Sequence, residues 1–156
     1  METLKIEKST AKKLYLDVPK WFQEVLSDNF GKDFFSKKIT DRIKSFEDAC
    51  IELKTTEEAV IKNYDTVDEI AYRKLKLIAK ALNEGWEPNW NDSSESKWWP
   101  YFDWSSGSGF DFSFSYFDYG NAFTDVGSRL CFKTKELTQY AGTQFIEIYR
   151  DFLTIK

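Results

Sequence analysis

The chain has 156 residues, a formal net charge of −4 and no histidine. That length suits one domain with a real hydrophobic core, and a composition of 42% hydrophobic and 31% charged residues lies outside the disordered range. The missing histidine excludes Ser-His-Asp and Cys-His nucleophile systems and His-ligated zinc or haem. No apolar run is long enough to cross a bilayer, and the N-terminus lacks a signal-peptide core, so a cytoplasmic protein is expected.

The first half reads as helices. Ser9 or Thr10 starts a short one reaching Leu16. Pro19 fits the first turn of a second, where a missing N–H costs nothing. Val18, Phe22, Val25, Leu26 and Phe30 share one face of it, and Gly31 supplies a left-handed stop. Ser45 to Asp48, Thr55 to Glu58 and Thr66 to Glu69 then fit the capping-box pattern, in which hydroxyl and carboxylate satisfy orphan N–H groups reciprocally. They predict helices near 46–53, 57–63 and 67–84. The last has the apolar stripe Ile70, Ala71, Leu75, Ile78, Ala81 and Leu82, and ends at Gly85. Its other face carries Arg73, Lys74, Lys76 and Lys80 and reads as solvated surface.

After a polar loop from Asn89 to Ser96 the period changes. Three strands are expected, at about 98–104, 110–119 and 128–133. Phe110, Phe112, Phe114 and Tyr116 alternate with Asp111, Ser113 and Ser115, the pattern of a half-buried strand. The Gly/Ser run 105–109 reads as a hairpin turn, since it holds no Lys or Arg to grip a phosphate, and Gly120-Asn121 falls in the second connection. Thr134 caps a final helix, about 134–152, with the stripe Leu137, Tyr140, Ala141, Phe145, Ile148, Tyr149 and Phe152. The expected architecture is α+β in a single domain over 1–156: a helical N-terminal part (about 9–84), a three-stranded antiparallel sheet, and a C-terminal helix packed on it. Phe112, Phe114, Leu130, Phe132, Leu137, Ala141 and Phe145 are expected to form one buried cluster.

Half of the aromatic residues fall within 86–123, together with Glu87, Asp92, Glu95, Asp103, Asp111 and Asp118 against one cation, Lys97. Trp98, Trp99, Tyr101, Phe102 and Trp104 are nearly consecutive and so project to both faces of a strand. Either helices cover both faces or some rings are exposed, as where sheets stack bases. The ligand-binding candidates are Trp90, Trp98, Trp99, Trp104, Arg129 and Lys133, with Arg129 expected to bridge to a strand carboxylate. The loop from Asn89 to Glu95 is oxygen-rich but lacks the EF-hand order. Cys50 and Cys131 sit among apolar neighbours and read as free, buried thiols. No catalytic residues, cofactor or metal site are expected.

The segments Ala81-Leu-Asn-Glu-Gly-Trp-Glu-Pro-Asn-Trp90, Trp99-Pro-Tyr-Phe102, Ser108-Gly-Phe110, Gly127-Ser-Arg-Leu-Cys-Phe-Lys133 and Tyr140-Ala-Gly-Thr-Gln-Phe145 resemble those of a family of small proteins encoded by gut bacteria, their prophages and their phages. The resemblance covers roughly residues 39–153. It implies an accessory protein of mobile elements and brings no activity, cofactor or catalytic residue with it.

These features favour a non-enzymatic binding or accessory protein acting on a protein partner. The first alternative is single-stranded nucleic acid, with sheet rings stacking bases and Lys74, Lys76, Lys80, Arg129 and Lys133 on phosphates. The second is carbohydrate on the same rings. Duplex DNA and membrane are not expected as partners, because the aromatic segment is acidic and no span is apolar enough. The exposure of the tryptophans, and which charges border them, separates these readings.

Overall fold

The structure is a computed structural model that describes residues 5–63, 65–106, 109–119 and 128–155. Its described elements are α1 (Lys8–Leu14), α2 (Lys20–Phe30), a 3-10 turn (Lys32–Phe35), α3 (Ile39–Arg42), α4 (Phe46–Glu52), α5 (Glu57–Val60), α6 (Val67–Leu82), β1 (Lys97–Ser106), β2 (Gly109–Asp118), a second 3-10 turn (Ser128–Leu130), α7 (Lys135–Gln144) and α8 (Ile146–Leu153). The class is α+β.

Local polar chemistry places the helix starts. The Ser45 N–H donates to Asp48 Oδ2 at 3.0 Å while Asp48 N–H donates to Ser45 Oγ at 3.1 Å, closing the box that opens α4. The Thr66 N–H donates to Glu69 Oε2 at 2.7 Å at the start of α6. The box expected from Thr55 to Glu58 does not form: Thr56 caps α5, one residue later, through Ala59 N–H. Pro19 is the cap of α2 rather than its first helical residue, and Val25 faces solvent, so the buried side of α2 centres on Leu26. Gly31 takes the expected left-handed φ of 85°. The stop of α6 is Asn83, with left-handed Glu84 and Gly85 following.

Among the described residues the sheet has two strands, not three. Residues 128–130 form the second 3-10 turn, and Phe132 makes an isolated antiparallel bridge to Trp98, with backbone bonds of 3.1 and 2.8 Å. What a further strand would supply comes from the Asn83 side chain. Its Nδ2 donates to the Cys131 carbonyl at 2.8 Å, and its Oδ1 accepts from Lys133 N–H at 3.0 Å. One amide offers a donor and an acceptor at the spacing a neighbouring strand would, so 131–133 is held straight without extending a ladder. The connection around Gly120-Asn121 and positions 107 and 108 of the expected turn lie outside the described residues, and Ser106 pairs with Gly109 on either side of them.

A β-bulge sets the faces of the hairpin. Phe102 lies opposite Phe112 but Tyr101 opposite Phe114, so Ser113 is an extra residue on β2. Before it, Phe110 and Phe112 point toward the helices. After it the phase inverts, Ser115 points inward, and Phe114 and Tyr116 join Trp99 and Tyr101 on the outer face. Phe114, expected in the core, is therefore 48% exposed.

On the inner face Phe102 stacks on Phe110 (centroids 4.9 Å apart) and meets Tyr149 of α8 at 4.7 Å. Leu130, Phe132, Leu137, Ala141 and Phe145 are buried there as expected, with Phe112 partly buried beside them. The backbone of α7 approaches the hairpin at Gly142, where a Cβ would overlap the Phe112 ring and lie 3.1 Å from Pro100 Cβ. The C-terminal helix is broken: Phe145 (φ −110°, ψ 27°) leaves the helical region. The bend lets α7 lie on the hairpin while α8 turns onto α6.

Candidate functional site

The residues singled out in the sequence do not form one platform. Trp99 is only 2% exposed, covered by Trp90 at a centroid distance of 6.4 Å. Trp98 is half-buried and packs on Phe117 across the strands at 4.7 Å. Trp104 lies near the hairpin tip, 56% exposed, edge-on to Phe110. Lys133 pairs with Glu84 at 3.2 Å. Arg129 is exposed and, contrary to expectation, bridges to no carboxylate among the described residues. Two separate surfaces emerge instead.

The first is the outer face of the hairpin. Tyr101, Phe114 and Tyr116 are exposed there, with Asp103 and Asp111 paired at one end and Lys97 and Asp118 paired at the other. The Lys97 side chain is fully buried, so it contributes no positive surface. Tyr101 and Phe114 stack on each other, 4.6 Å apart and 20° from parallel. Each ring covers one face of its partner, and both remain about half exposed. The surface is apolar, aromatic and acidic.

Lys97 is the residue whose role the sequence reading missed. Its Nζ donates to the carbonyls of Asp92 (3.0 Å), Glu95 (2.9 Å) and Tyr119 (3.0 Å), lies 3.4 Å from Glu95 Oε1, and sits 5.4 Å from the centroid of Trp90. The oxygen-rich loop from Asn89 to Glu95 thus closes around the chain's own amino group. Other acceptors of the loop are engaged locally: Glu95 Oε1 accepts from Asn89 N–H, and Asp92 Oδ1 from Ser94 N–H and Oγ. The hydroxyl and N–H of Ser94 favour the ionised form of Asp92 and hold its carboxyl below the ordinary range. The available signal was a lone cation in an acidic run, next to a loop dense in acceptors.

The second surface is an open cleft of about 460 Å³, lined by Lys76 and Lys80 of α6, Trp86, Glu87 and Trp90 of the following loop, and Arg129. Four cations were expected to coat one side of α6, but they divide. Arg73 pairs with Asp65 at 2.9 Å and Lys74 with Glu57 at 3.2 Å. Lys76 and Lys80, one helical turn apart on the cleft side, have no ion pair among the described residues, although Lys76 Nζ lies 4.7 Å from the centroid of the Tyr72 ring. The Asn83 tether to 131–133 brings Arg129 to the opposite wall. A larger cleft, about 920 Å³, lies between α1 and the α4–α5 segment, but its charges are of both signs and several pair with one another, as in Lys8–Glu47 and Lys12–Glu52.

The thiols are free and buried. Desolvation pushes Cys131 up to about 12 and raises Cys50, where Glu57, Glu47 and Glu58 add to the effect. Both stay protonated at neutral pH and are poor nucleophiles. No described helix is long and apolar enough to cross a membrane. No family model, curated protein or solved structure matches the chain, so the two surfaces are read from their own geometry.

Proposed function

We propose that this is a non-enzymatic binding protein, an accessory factor in keeping with its resemblance to phage and prophage proteins, that docks a protein partner on the outer face of the β1–β2 hairpin. The observation that carries this reading is the exposed set Tyr101, Phe114 and Tyr116, flanked by Asp103 and Asp111 and without an exposed cation between them. Tyrosine and phenylalanine supply large contact area at low entropy cost, which is why such rings dominate protein interfaces. The carboxylates select a partner surface that offers arginine or lysine around an apolar centre. Sugars and bases stack on open ring faces, and the Tyr101–Phe114 pair uses one face of each ring on itself. Phosphate would also meet carboxylates here. The two free thiols suit the cytoplasm, the compartment we assign to the protein.

The test is a photo-crosslinking residue placed at Tyr116 in the native host, beside one at exposed Lys38. Tyr116 should capture a discrete protein that Lys38 does not, and Tyr101→Ser with Phe114→Ser should abolish capture while the melt stays cooperative. Equal capture from both positions, or binding of the hairpin to a glycan panel lost in the same variants, would overturn the protein-partner reading.

A further inference from the structure

We propose that the cleft between α6, the Trp86–Trp90 loop and Arg129 binds a nucleotide, an aromatic base joined to a phosphate, either free or as an unpaired unit of a single strand. The site is distinct from the hairpin face. Its volume of about 460 Å³ falls within the range of small-ligand sites, about 300–1,000 Å³.

The argument is one of coincidence in a single concave place. Lys76, Lys80 and Arg129 make an anion site on two walls, while Arg73 and Lys74 on the same helix are neutralised by Asp65 and Glu57. Lys80 lies in the last turn of α6, where the helix end itself attracts a cation. That accounts for one charge and not for Arg129, which comes from another part of the chain. Beside the cations stand two indole rings: Trp86, half-buried, is the stacking ring, and Trp90, 37% exposed, backs it while also covering Trp99 and meeting Lys97 Nζ at 5.4 Å. An inorganic anion has no use for the rings, and a neutral sugar has no use for three cations. A ligand that uses both carries a flat ring and a phosphate. Glu87 adds an acceptor for a base amino group or a ribose hydroxyl. Duplex bases hide their faces in the stack, so the base must be unpaired.

The experiment is a titration of the intact protein with adenosine monophosphate and with a short oligothymidylate, read by tryptophan fluorescence and by anisotropy of the labelled strand across a salt series. Quenching on binding is expected from both probes or from one. Binding that is stronger for the strand, with a salt slope of about −2 for three phosphate contacts at roughly −0.7 each, identifies a strand as the source. Binding confined to the mononucleotide identifies a free nucleotide. Lys80→Glu and Arg129→Glu, both on exposed side chains, should each weaken binding about tenfold or more with an unchanged melt, as should Trp86→Ala if it folds. Tyr101→Ser on the hairpin should leave binding intact, so this result and the partner-docking result fail independently. The proposal is overturned if neither probe binds at millimolar concentration in low salt. It is equally overturned if the charge reversals have no effect, or if inorganic phosphate competes as well as the nucleotide and shows the rings to be idle.

Discussion

The helical half and the aromatic half of this protein are closed by different means. From α1 to α6 much of the polar work is local, as in Ser45 with Asp48, Thr66 with Glu69, and Arg42 with Glu52 ten residues away at 3.2 Å; the long-range pairs Lys8–Glu47 and Lys12–Glu52 lie at the partly exposed surface. In the aromatic half the decisive bonds span long stretches of chain: Asn83 to Cys131 and Lys133, Lys97 to Tyr119, and the Tyr140 hydroxyl to the Ile43 carbonyl at 2.6 Å. Local closure makes helices that form in place, with each bond contributing little alone. Long-range closure concentrates energy in a few buried groups, so single substitutions there should be far more costly.

The largest effect is expected at Phe145, 4% exposed at the bend between α7 and α8. Phe145→Ala should destabilise by about 3–5 kcal/mol, as large-to-small core changes do. Urea denaturation measures it, and a loss below ~1 kcal/mol would mean the bend is not a packing centre. Lys97→Met comes next. It removes an amino group on a side chain of 0% exposure, leaves three carbonyls without their donor, and should cost about 3 kcal/mol. Hydrogen exchange should rise across residues 89–95 more than in α6; uniform exchange would show that the clamp does not hold the loop. Gly142→Ala should cost about 1–3 kcal/mol by overpacking against Phe112. The same change should cost clearly less in a Phe112→Leu background, and an equal cost in both would refute the contact.

Alkaline pH tests the same half more gently. Above the ordinary thiol value of 9.0 the unfolded chain releases the Cys131 proton, while the folded chain holds it up to about 12. Tyr140, raised from 10.0 to about 12 by burial, acts in the same direction. The unfolded state binds fewer protons in this window, so stability should fall as pH rises from about 9 toward 12, with no slope from these groups below it. A flat melting temperature to pH 11 would contradict the burial of both. The smallest effect belongs to the helical half. Lys8→Ala removes an ion pair with both side chains well exposed and should change stability by less than about 1 kcal/mol, so a larger loss would blur the contrast between the halves.

The sequence was legible where the code is local. Two capping boxes, the left-handed Gly31 and the stripe of α6 are short-range signals, and the structure places them within a residue or two. The hairpin was legible as a pair of strands but not in its phase, because the alternation from Phe110 to Tyr116 looks continuous and the extra residue at Ser113 shows only in the pairing. The supposed strand at 128–133 has the right composition, yet a side chain 48 residues away takes its hydrogen bonds. The candidate rings do not assemble as one set: Trp99 is core, while Lys76, Lys80 and Arg129 line a cleft beside Trp86 and Trp90. Burial and charge pairing depend on distant partners, and no window of sequence contains them.

The two-stranded sheet has a consequence for how the molecule behaves in a crowd. Among the described residues β2 pairs only with β1, so its far side is a ten-residue border rich in phenylalanine and open to further pairing. Such borders template the addition of foreign strands and, at high concentration, aggregation. The bulge at Ser113 breaks the flatness that stacking requires, and Asp111 and Asp118 interrupt the apolar run with negative charge. These two aspartates act as gatekeepers: two copies of the border brought together would set like charges along the seam, which disfavours pairing between chains.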